Sequence, residues 1–176
     1  LGGTFRVVVN GLLPALGGFE EARNRLTSKL GGALFSIPAI KGVEFGIGFK
    51  NAEVLGHEAH DEIYLDKKGF MRRTNRAGGL EGGMTTGMPL IMTAAMKPIP
   101  TQIDPLNTVN IDTLEVDKAS TERSDVCAVP AASVVAEAEV AFVIAQAYLD
   151  KFGSDNMTDI KANIELFKKR IKTMSR

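Results

Sequence analysis

The alternation of apolar and polar residues predicts four strands along the chain, at residues 4–13, 41–49, 89–96 and 108–114, with a further short strand possible at 62–65. The clearest alternation is in 41–49. Its apolar positions are Val43, Phe45, Ile47 and Phe49, and its other face carries Glu44, Gly46 and Gly48. A half-buried strand with so bare a second face lets another backbone, or a ring, lie against it.

Helical spacing of apolar residues predicts three helices. The first covers 19–37, and its apolar stripe is Ala22, Leu26, Leu30, Ala33, Leu34 and Ile37. Gly31 and Gly32 cost it about 1 kcal/mol each relative to alanine, so we expect close packing against a sheet in return. The second helix, 131–149, carries only Glu137 and Glu139 as charges, which predicts burial nearly all round. The last helix is capped near residue 155 or 156, and its stripe is Ile160, Ile164, Phe167 and Ile171.

This order of elements lacks the regular β-α alternation of a doubly wound sheet, so an α+β fold is favoured. The polar segment 51–75 reads as a long surface excursion. No internal repeat is evident, and the 176 residues suit one domain or a large part of one.

Composition narrows the function classes. The chain is 44% hydrophobic and 24% charged, which allows a packed core, and its net charge of zero argues against nucleic acid or an anionic membrane as main partner. The single cysteine, Cys127, excludes an internal disulfide and suits a reducing compartment such as the cytoplasm. The longest apolar run, 140–147, is too short for a membrane span, and no signal peptide is visible. Because a strand pattern begins almost at Leu1, we expect a segment to precede it.

The most unusual stretch is 74–101, which has five glycines between Gly78 and Gly87 and ends in Lys97-Pro98-Ile99-Pro100-Thr101. Glycines at this density allow positive φ at several places, close backbone approach to a ligand, and an anion-binding nest. The final segment adds a cation, a hydroxyl and two fixed φ angles. The spacing fits neither the dinucleotide-binding nor the Walker motif. On these residues alone a glycine-rich structural turn remains the alternative to a pocket wall for a phosphate and a flat ring.

Few other residues suggest chemistry. Arg123 and Asp125 are spaced to share one face of an extended segment, either as a surface ion pair or as an anion-binding arginine beside a proton-transferring carboxylate. His57 and His60 lack a third ligand in any metal-binding pattern, so a solvated loop is favoured and no metal site is predicted. Cys127 reads as a buried small residue rather than a nucleophile. Both histidines lie in one segment, so no Ser-His-Asp triad can be assembled.

Three longer motifs resemble those of the chorismate synthase family. They are residues 36–49 (Ser-Ile-Pro-Ala-Ile-Lys-Gly-Val-Glu-Phe-Gly-Ile-Gly-Phe), residues 75–83 (Asn-Arg-Ala-Gly-Gly-Leu-Glu-Gly-Gly) followed by 97–101, and residues 122–130 (Glu-Arg-Ser-Asp-Val-Cys-Ala-Val-Pro) running into the helix with Glu137. Many members have Arg-His-Asp where this chain has Arg123-Ser124-Asp125, which we interpret as a subgroup variant that keeps the arginine and the aspartate.

The resemblance implies a β-α-β sandwich, with helices layered between two antiparallel sheets, in a cytoplasmic homotetramer. It also implies a lyase of the shikimate pathway for aromatic amino acid biosynthesis. This lyase converts 5-enolpyruvylshikimate 3-phosphate to chorismate and phosphate by anti-1,4-elimination, and it requires reduced FMN without net redox change. Whether the protein reduces its own FMN with NADPH or relies on an external reductase stays open.

The resemblance also assigns roles to residues. Those expected to hold the flavin or its phosphate are Pro38, Ala39, Asn75, Gly82, Lys97, Pro98, Ile99, Pro100, Thr101 and Arg123. Arg123 would contact FMN or the charge of the substrate, and Asp125 would be the acidic group near flavin N5 that helps proton transfer.

The resemblance covers only the C-terminal portion of the family, so the whole of residues 1–176 is expected to be that portion of one domain. The catalytic histidines and the substrate-binding arginine cluster of the family belong to the other half. An isolated chain is therefore expected to be inactive. The alternative is a non-catalytic module that binds flavin or phosphate, or a structural and oligomerising half.

Overall fold

The computed structural model describes residues 1–66, 69–122 and 126–174. Its strands are β1 (Gly3–Val9), β2 (Ile40–Phe45), β3 (Ile63–Asp66), β4 (Gly69–Arg72), β5 (Leu80–Glu81), β6 (Met84–Thr85), β7 (Leu90–Met96), β8 (Asn107–Val109) and β9 (Val116–Lys118). Its α-helices are α1 (Leu26–Ser36), α2 (Gly56–Ala59), α3 (Val129–Phe152) and α4 (Met157–Met174), and short 3-10 helices lie at Ala22–Asn24 and Gly48–Glu53.

The core is built on a three-stranded sheet in the order β1-β7-β2, in which both neighbours pair antiparallel to β7. Opposite Phe5 stands Ala94, and opposite Val7 stands Met92, so their side chains share one face. All four are buried. This face of the sheet is therefore the floor of the hydrophobic core.

Two helices cover that floor. Leu26, Leu30 and Leu34 of α1 are fully buried, and α3 contributes small and branched residues such as Ala136 and Val140. The terminal helix α4 packs on the end of α3, where the Phe152 and Phe167 rings meet edge to face with centroids 5.5 Å apart. Antiparallel sheets with segregated helices make the fold α+β, as predicted from the order of elements.

Several predicted elements have different bounds. The strand predicted at 4–13 is Gly3–Val9, and the helix predicted at 131–149 is Val129–Phe152. The strand predicted at 41–49 ends at Phe45, because Gly46 and Gly48 adopt positive φ (60° and 51°) and turn the chain into a 3-10 helix. The helix predicted from residue 19 begins at Leu26. The strand predicted at 108–114 is the hairpin β8–β9, with a turn between its strands. The possible short strand at 62–65 is confirmed as β3, paired with β4.

The prediction that the long helix is buried nearly all round is wrong for this chain. In α3 the side chains of Val134 and Phe142 are 68% and 76% exposed, although the opposite stripe is buried. By length and composition α3 could cross a membrane, unlike the shorter run seen in the sequence. One such helix is weak evidence, since core helices of soluble proteins pass the same test.

The expected close packing of the paired glycines in α1 is also not found. Among the described residues, a Cβ added to Gly31 or Gly32 would meet no atom within 4 Å outside the nearby backbone of its own helix. These glycines therefore weaken the helix without a packing return in this chain.

The substitution Gly32→Ala is accordingly expected to raise the free energy of unfolding by about 0.5–1 kcal/mol, because alanine restricts the unfolded chain and fills open space. Urea denaturation of the chain and the variant measures this. A loss of stability would show that Gly32 approaches another backbone.

Candidate active site

The glycine loop between β4 and β7 is folded mainly against its own chain. Gly78 and Gly79 have φ of 65° and 82°, as a dense run of glycine predicts. A Cβ on Gly79 would lie 2.5 Å from the Pro89 carbonyl oxygen, and one on Gly78 would lie 2.7 Å from the Gly46 Cα. The structural-turn interpretation therefore explains these two glycines, whose missing side chains admit neighbouring backbone rather than a ligand.

Gly82 differs from its neighbours in the loop. It has φ of 59°, it is exposed, and a Cβ built on it would lie within 4 Å of no other residue that the structure describes. By contrast, a Cβ on Gly83 would overlap the Arg25 side chain. Within residues 78–83, Gly82 is thus the glycine whose bare face is open to a ligand.

A buried carboxylate fixes the segment that precedes the loop. Asp61 is only 6% exposed. Its Oδ1 accepts hydrogen bonds from the Thr74 hydroxyl (2.5 Å) and the Arg76 backbone N–H (2.8 Å), and its Oδ2 accepts one from the Ala77 N–H (3.0 Å). On the other side of the segment, Asn75 Nδ2 donates to the Pro89 carbonyl oxygen over 2.8 Å. Asn75 is thereby held at the start of β7.

Arg72 connects the segment that contains Asp61 to the glycine loop. Arg72 Nη1 donates to the Asp61 carbonyl oxygen (2.6 Å), and the same guanidinium binds both carboxylate oxygens of Glu81 at 3.1 and 2.6 Å. Bidentate pairs of this kind are the more specific ion pairs. Because Glu81 precedes Gly82, the pair connects the Asp61 segment to the tip of the loop.

The hydrogen bonds have an electrostatic consequence. Burial by itself would raise the pKa of Asp61, but the donors from Ala77, Thr74 and Arg76, with the nearby charge of Arg72, outweigh it and hold the pKa below its usual value.

Acid is therefore expected to remove the contribution of Asp61 to stability. In the unfolded chain this carboxyl takes up its proton at a higher pH, near about 3.9, so stabilisation is complete above that range and lost as the pH falls through the lower folded value. The destabilisation caused by Asp61→Asn should then be largest near neutral pH and shrink towards about pH 3. Urea unfolding of both proteins at several pH values measures this difference, and a constant difference would contradict it.

A second group of predicted site residues lies around Lys97. The Lys97 backbone N–H donates to the Ala39 carbonyl oxygen over 2.9 Å, so the ends of β2 and β7 bring Pro38-Ala39 beside Lys97-Pro98. Ala39 has φ of 69°, which costs a non-glycine residue about 1 kcal/mol or more. Lys97 and Pro98 are exposed, and Thr101 is half-buried. A cation and a hydroxyl are thus presented at the surface by a segment that its prolines stiffen.

The two groups lie at opposite ends of the central strand. Asn75 bonds to the residue before β7, whereas Lys97 directly follows β7, whose seven extended residues span about 20 Å. Gly82 lies in the same group as Asn75, because the neighbouring Glu81 is bound by Arg72, which also bonds to Asp61. A ligand that contacts both groups must therefore reach along the whole of β7 or be shared with a second copy of the chain.

Arg123 and Asp125 lie outside the described residues. Val126, the next residue along the chain, accepts a 2.6 Å hydrogen bond at its carbonyl oxygen from the Leu1 amino group. The adjacent Gly2 is packed so closely to the Lys97 segment that an added Cβ would lie 2.6 Å from the Met96 carbonyl oxygen and 2.9 Å from Pro98. The described chain thus resumes after Asp125 at the Lys97 end of the sheet.

The remaining sequence candidates do not join either group. His57 lies in α2, and His60 follows that helix with its carbonyl oxygen accepting from Arg76. Cys127 is a free, half-buried thiol. Two surface cavities of about 350 and 380 Å³ lie between the loop after β1 and the end of α3, and both include Gly17, Asn24 and Lys151 in their lining. No predicted site residue that the structure describes lines them.

Sequence reasoning missed Asp61. Its segment is polar and reads as a surface excursion, and an aspartate there looks the same whether it is solvated or buried. Its partners are 13–16 residues further along the chain. The available signal was an aspartate beside a possible short strand, which is too common to single out one residue.

Comparison with known proteins gives one consistent family. Residues 1–149 match the family model described as chorismate synthase. The chorismate synthase of Bacillus pumilus strain SAFR-032 is 55% identical over 166 residues, which cover 94% of this chain and 43% of the relative. That of Nocardia farcinica strain IFM 10152 is 56% identical over 173 residues, covering 98% and 43%. A crystal structure of chorismate synthase superposes with a TM-score of 0.81 at 39% identity, covering 98% of this chain and 44% of that one. The chain therefore spans less than half the length of these relatives.

Proposed function

Because the chain belongs to the chorismate synthase family, we propose that it is the C-terminal part of a lyase that converts 5-enolpyruvylshikimate 3-phosphate to chorismate and phosphate. The supporting observation is that the family match extends over 149 residues and includes every residue for which a site role was predicted. The intact protein is then a cytoplasmic, homotetrameric enzyme of aromatic amino acid biosynthesis.

The residues present suit reduced FMN as cofactor when two copies of the chain contribute to one site, because the two groups lie at opposite ends of β7. At one end of β7 an exposed lysine and a half-buried threonine, stiffened by two prolines, offer a cation and a hydroxyl to a phosphate. At the other end the open backbone of Gly82 allows close approach of a planar ring. Reduced FMN held there would supply transient electron density for phosphate departure, without net redox change.

The chain's own residues would then bind, orient and move a proton. Lys97 to Thr101 hold phosphate groups, Pro38 and Ala39 line the flavin, and Asn75 and Gly82 approach it. Arg123 binds an anionic group of cofactor or substrate, and Asp125 passes on the proton removed from the ring. The separation of the Asn75 and Lys97 groups favours a flavin site completed by a second copy of the chain, in keeping with the proposed homotetramer.

The substitution Gly82→Ala tests the flavin assignment. We expect it to cost about 1 kcal/mol of stability, from strain at positive φ without a clash, and to raise the Kd for FMN roughly tenfold by obstructing close approach. Flavin fluorescence titration with oxidised FMN, and anaerobic titration calorimetry with reduced FMN, measure the Kd. Gly11→Ala is the matched control, since Gly11 also has positive φ and open space. Equal FMN affinity in the Gly82 variant and the unaltered chain would contradict the assignment.

The 176-residue chain by itself is proposed to be inactive, because the family's catalytic histidines and substrate-binding arginines belong to the half it does not span. An elimination assay with reduced FMN and 5-enolpyruvylshikimate 3-phosphate measures chorismate formation. Turnover comparable to that of a full-length family member would refute this.

The second candidate function is a structural or oligomerising half that binds no cofactor. The exposed apolar face of α3, with Val134 and Phe142, favours it, because such a face is suited to covering by another protein layer. The same FMN titration separates the two, since the structural version shows no saturable change in flavin fluorescence.

A further inference from the structure

The buried carboxylate of Asp61 has a role that neither the family match nor the sequence motifs assign. We infer that Asp61 is a positioning residue for the loop 74–83: its carboxylate fixes residues 74–77, which include Asn75, and its backbone carbonyl anchors Arg72, which holds Glu81 next to Gly82. This rests on the proposed function, which places FMN at Asn75 and Gly82.

Three hydrogen-bond donors converge on the side chain of Asp61. The Thr74 hydroxyl and the N–H groups of Arg76 and Ala77 all end on the two oxygens of Asp61. The next donor, the Gly78 N–H, bonds to the Asn75 carbonyl oxygen over 3.1 Å. These backbone groups cannot also form an anion nest. The nest predicted from the glycine content is therefore excluded at residues 76–78.

Residues 74–77 are also hydrogen-bonded on the side that faces away from Asp61. Opposite Asp61, the Ile47 N–H donates to the Arg76 carbonyl oxygen over 2.9 Å, and the Asn75 amide donates to Pro89. The segment thus lies between the Asp61 carboxylate on one side and, on the other, Ile47 in the turn after β2 and Pro89 just before β7.

Arg72 connects the Asp61 segment to the residue before Gly82. Arg72 bonds at once to the Asp61 carbonyl oxygen and to both oxygens of Glu81. The Asp61 carboxylate thus fixes the residues on both sides of Asn75, whereas the link through Arg72 to Glu81, next to Gly82, uses the Asp61 backbone carbonyl. A buried charge is costly unless it is fully hydrogen-bonded, and here its hydrogen bonds order the segment that carries Asn75.

The test uses Asp61→Asn, which keeps the shape but replaces one acceptor oxygen by a donor. Because that variant loses stability, Thr74→Val is the second probe: it removes one hydroxyl and leaves the carboxylate, and Thr74→Ser is its matched control. Asp112→Asn removes the same charge as Asp61→Asn from an exposed turn. FMN titration, hydrogen exchange of residues 75–82, and steady-state kinetics of the full-length protein are the three readouts.

We expect Asp61→Asn to raise the Kd for FMN roughly tenfold or more, and Thr74→Val about threefold, with faster hydrogen exchange in 75–82. At saturating FMN, kcat should stay within about threefold, since a prepositioning loss acts on binding. Thr74→Ser and Asp112→Asn should match the unaltered protein.

Faster exchange with unchanged FMN affinity in both Asp61→Asn and Thr74→Val would overturn the positioning role. If the unaltered protein itself binds no FMN, the proposed function fails, and this inference fails with it. If the unaltered protein, Asp61→Asn and Thr74→Val all bind FMN equally well, the positioning role of Asp61 is rejected but the proposed function is not.

Discussion

Replacement of Gly46 by alanine is expected to prevent stable folding of the chain. A Cβ at this position would overlap the Arg76 carbonyl oxygen and lie 2.5 Å from the Gly78 nitrogen and 2.7 Å from the Ala77 carbonyl carbon. These are backbone atoms held by the Asp61 network, so they cannot move aside as a flexible side chain does. The positive φ of Gly46 adds strain of its own. We expect a loss of more than about 4 kcal/mol, in the range reserved for severe packing conflicts.

Gly11→Ala separates the two causes of that loss. Gly11 also has positive φ, 76°, but no atom of the described part of the chain lies within 4 Å of a Cβ added to it. The Gly11→Ala variant should lose only the stability that the strained φ costs, about 1 kcal/mol. Thermal and urea unfolding, followed by circular dichroism, measure both variants. If Gly46→Ala unfolds at the same urea concentration as Gly11→Ala, the close contact between Gly46 and residues 76–78 is not present in solution.

The second large effect concerns activity. In the full-length protein that we propose, Asp125→Asn should lower kcat about 10²–10⁴-fold, the usual contribution of a positioned proton-transfer group. FMN binding should change little, because asparagine has nearly the same size as aspartate. Stopped-flow measurement of chorismate formation, with FMN titration in parallel, tests this.

The control for Asp125→Asn is its neighbour. Ser124→Ala alters the same segment without touching either proposed functional group, so its kcat should stay close to that of the unaltered protein. Should Asp125→Asn keep more than about a tenth of the activity, proton transfer does not depend on this carboxylate. An equal loss in Ser124→Ala would instead point to a general disturbance of the segment.

Local patterns were sufficient for the elements whose neighbours in sequence decide them. The apolar period predicted β7 and the last helix, and the paired glycines predicted a loop of positive φ. The family motifs were also local, and the family itself is confirmed. Bounds were less reliable where the competing structure depended on distant residues. The strand predicted through residue 49 stops at Phe45 because Gly46 must admit residues 76–78, which are 30 or more positions away.

The candidate site shows the same division. The motifs identified which residues are of interest, but not that Pro38, Ala39 and Lys97 form one group and Asn75 and Gly82 another at the far end of β7. That separation follows from antiparallel pairing, which joins residues distant in sequence and parts residues on either side of one strand. The motifs also gave no sign of Asp61, whose partners are distant backbone groups.

The sequence by itself determined the family, the α+β class and the glycine content of the loop, because each is recorded in residue type and spacing. Only the tertiary structure decided which glycine is open, which backbone donors are already used, and how far apart the two groups of site residues lie. Those are properties of contacts between segments, and a one-dimensional pattern does not contain them.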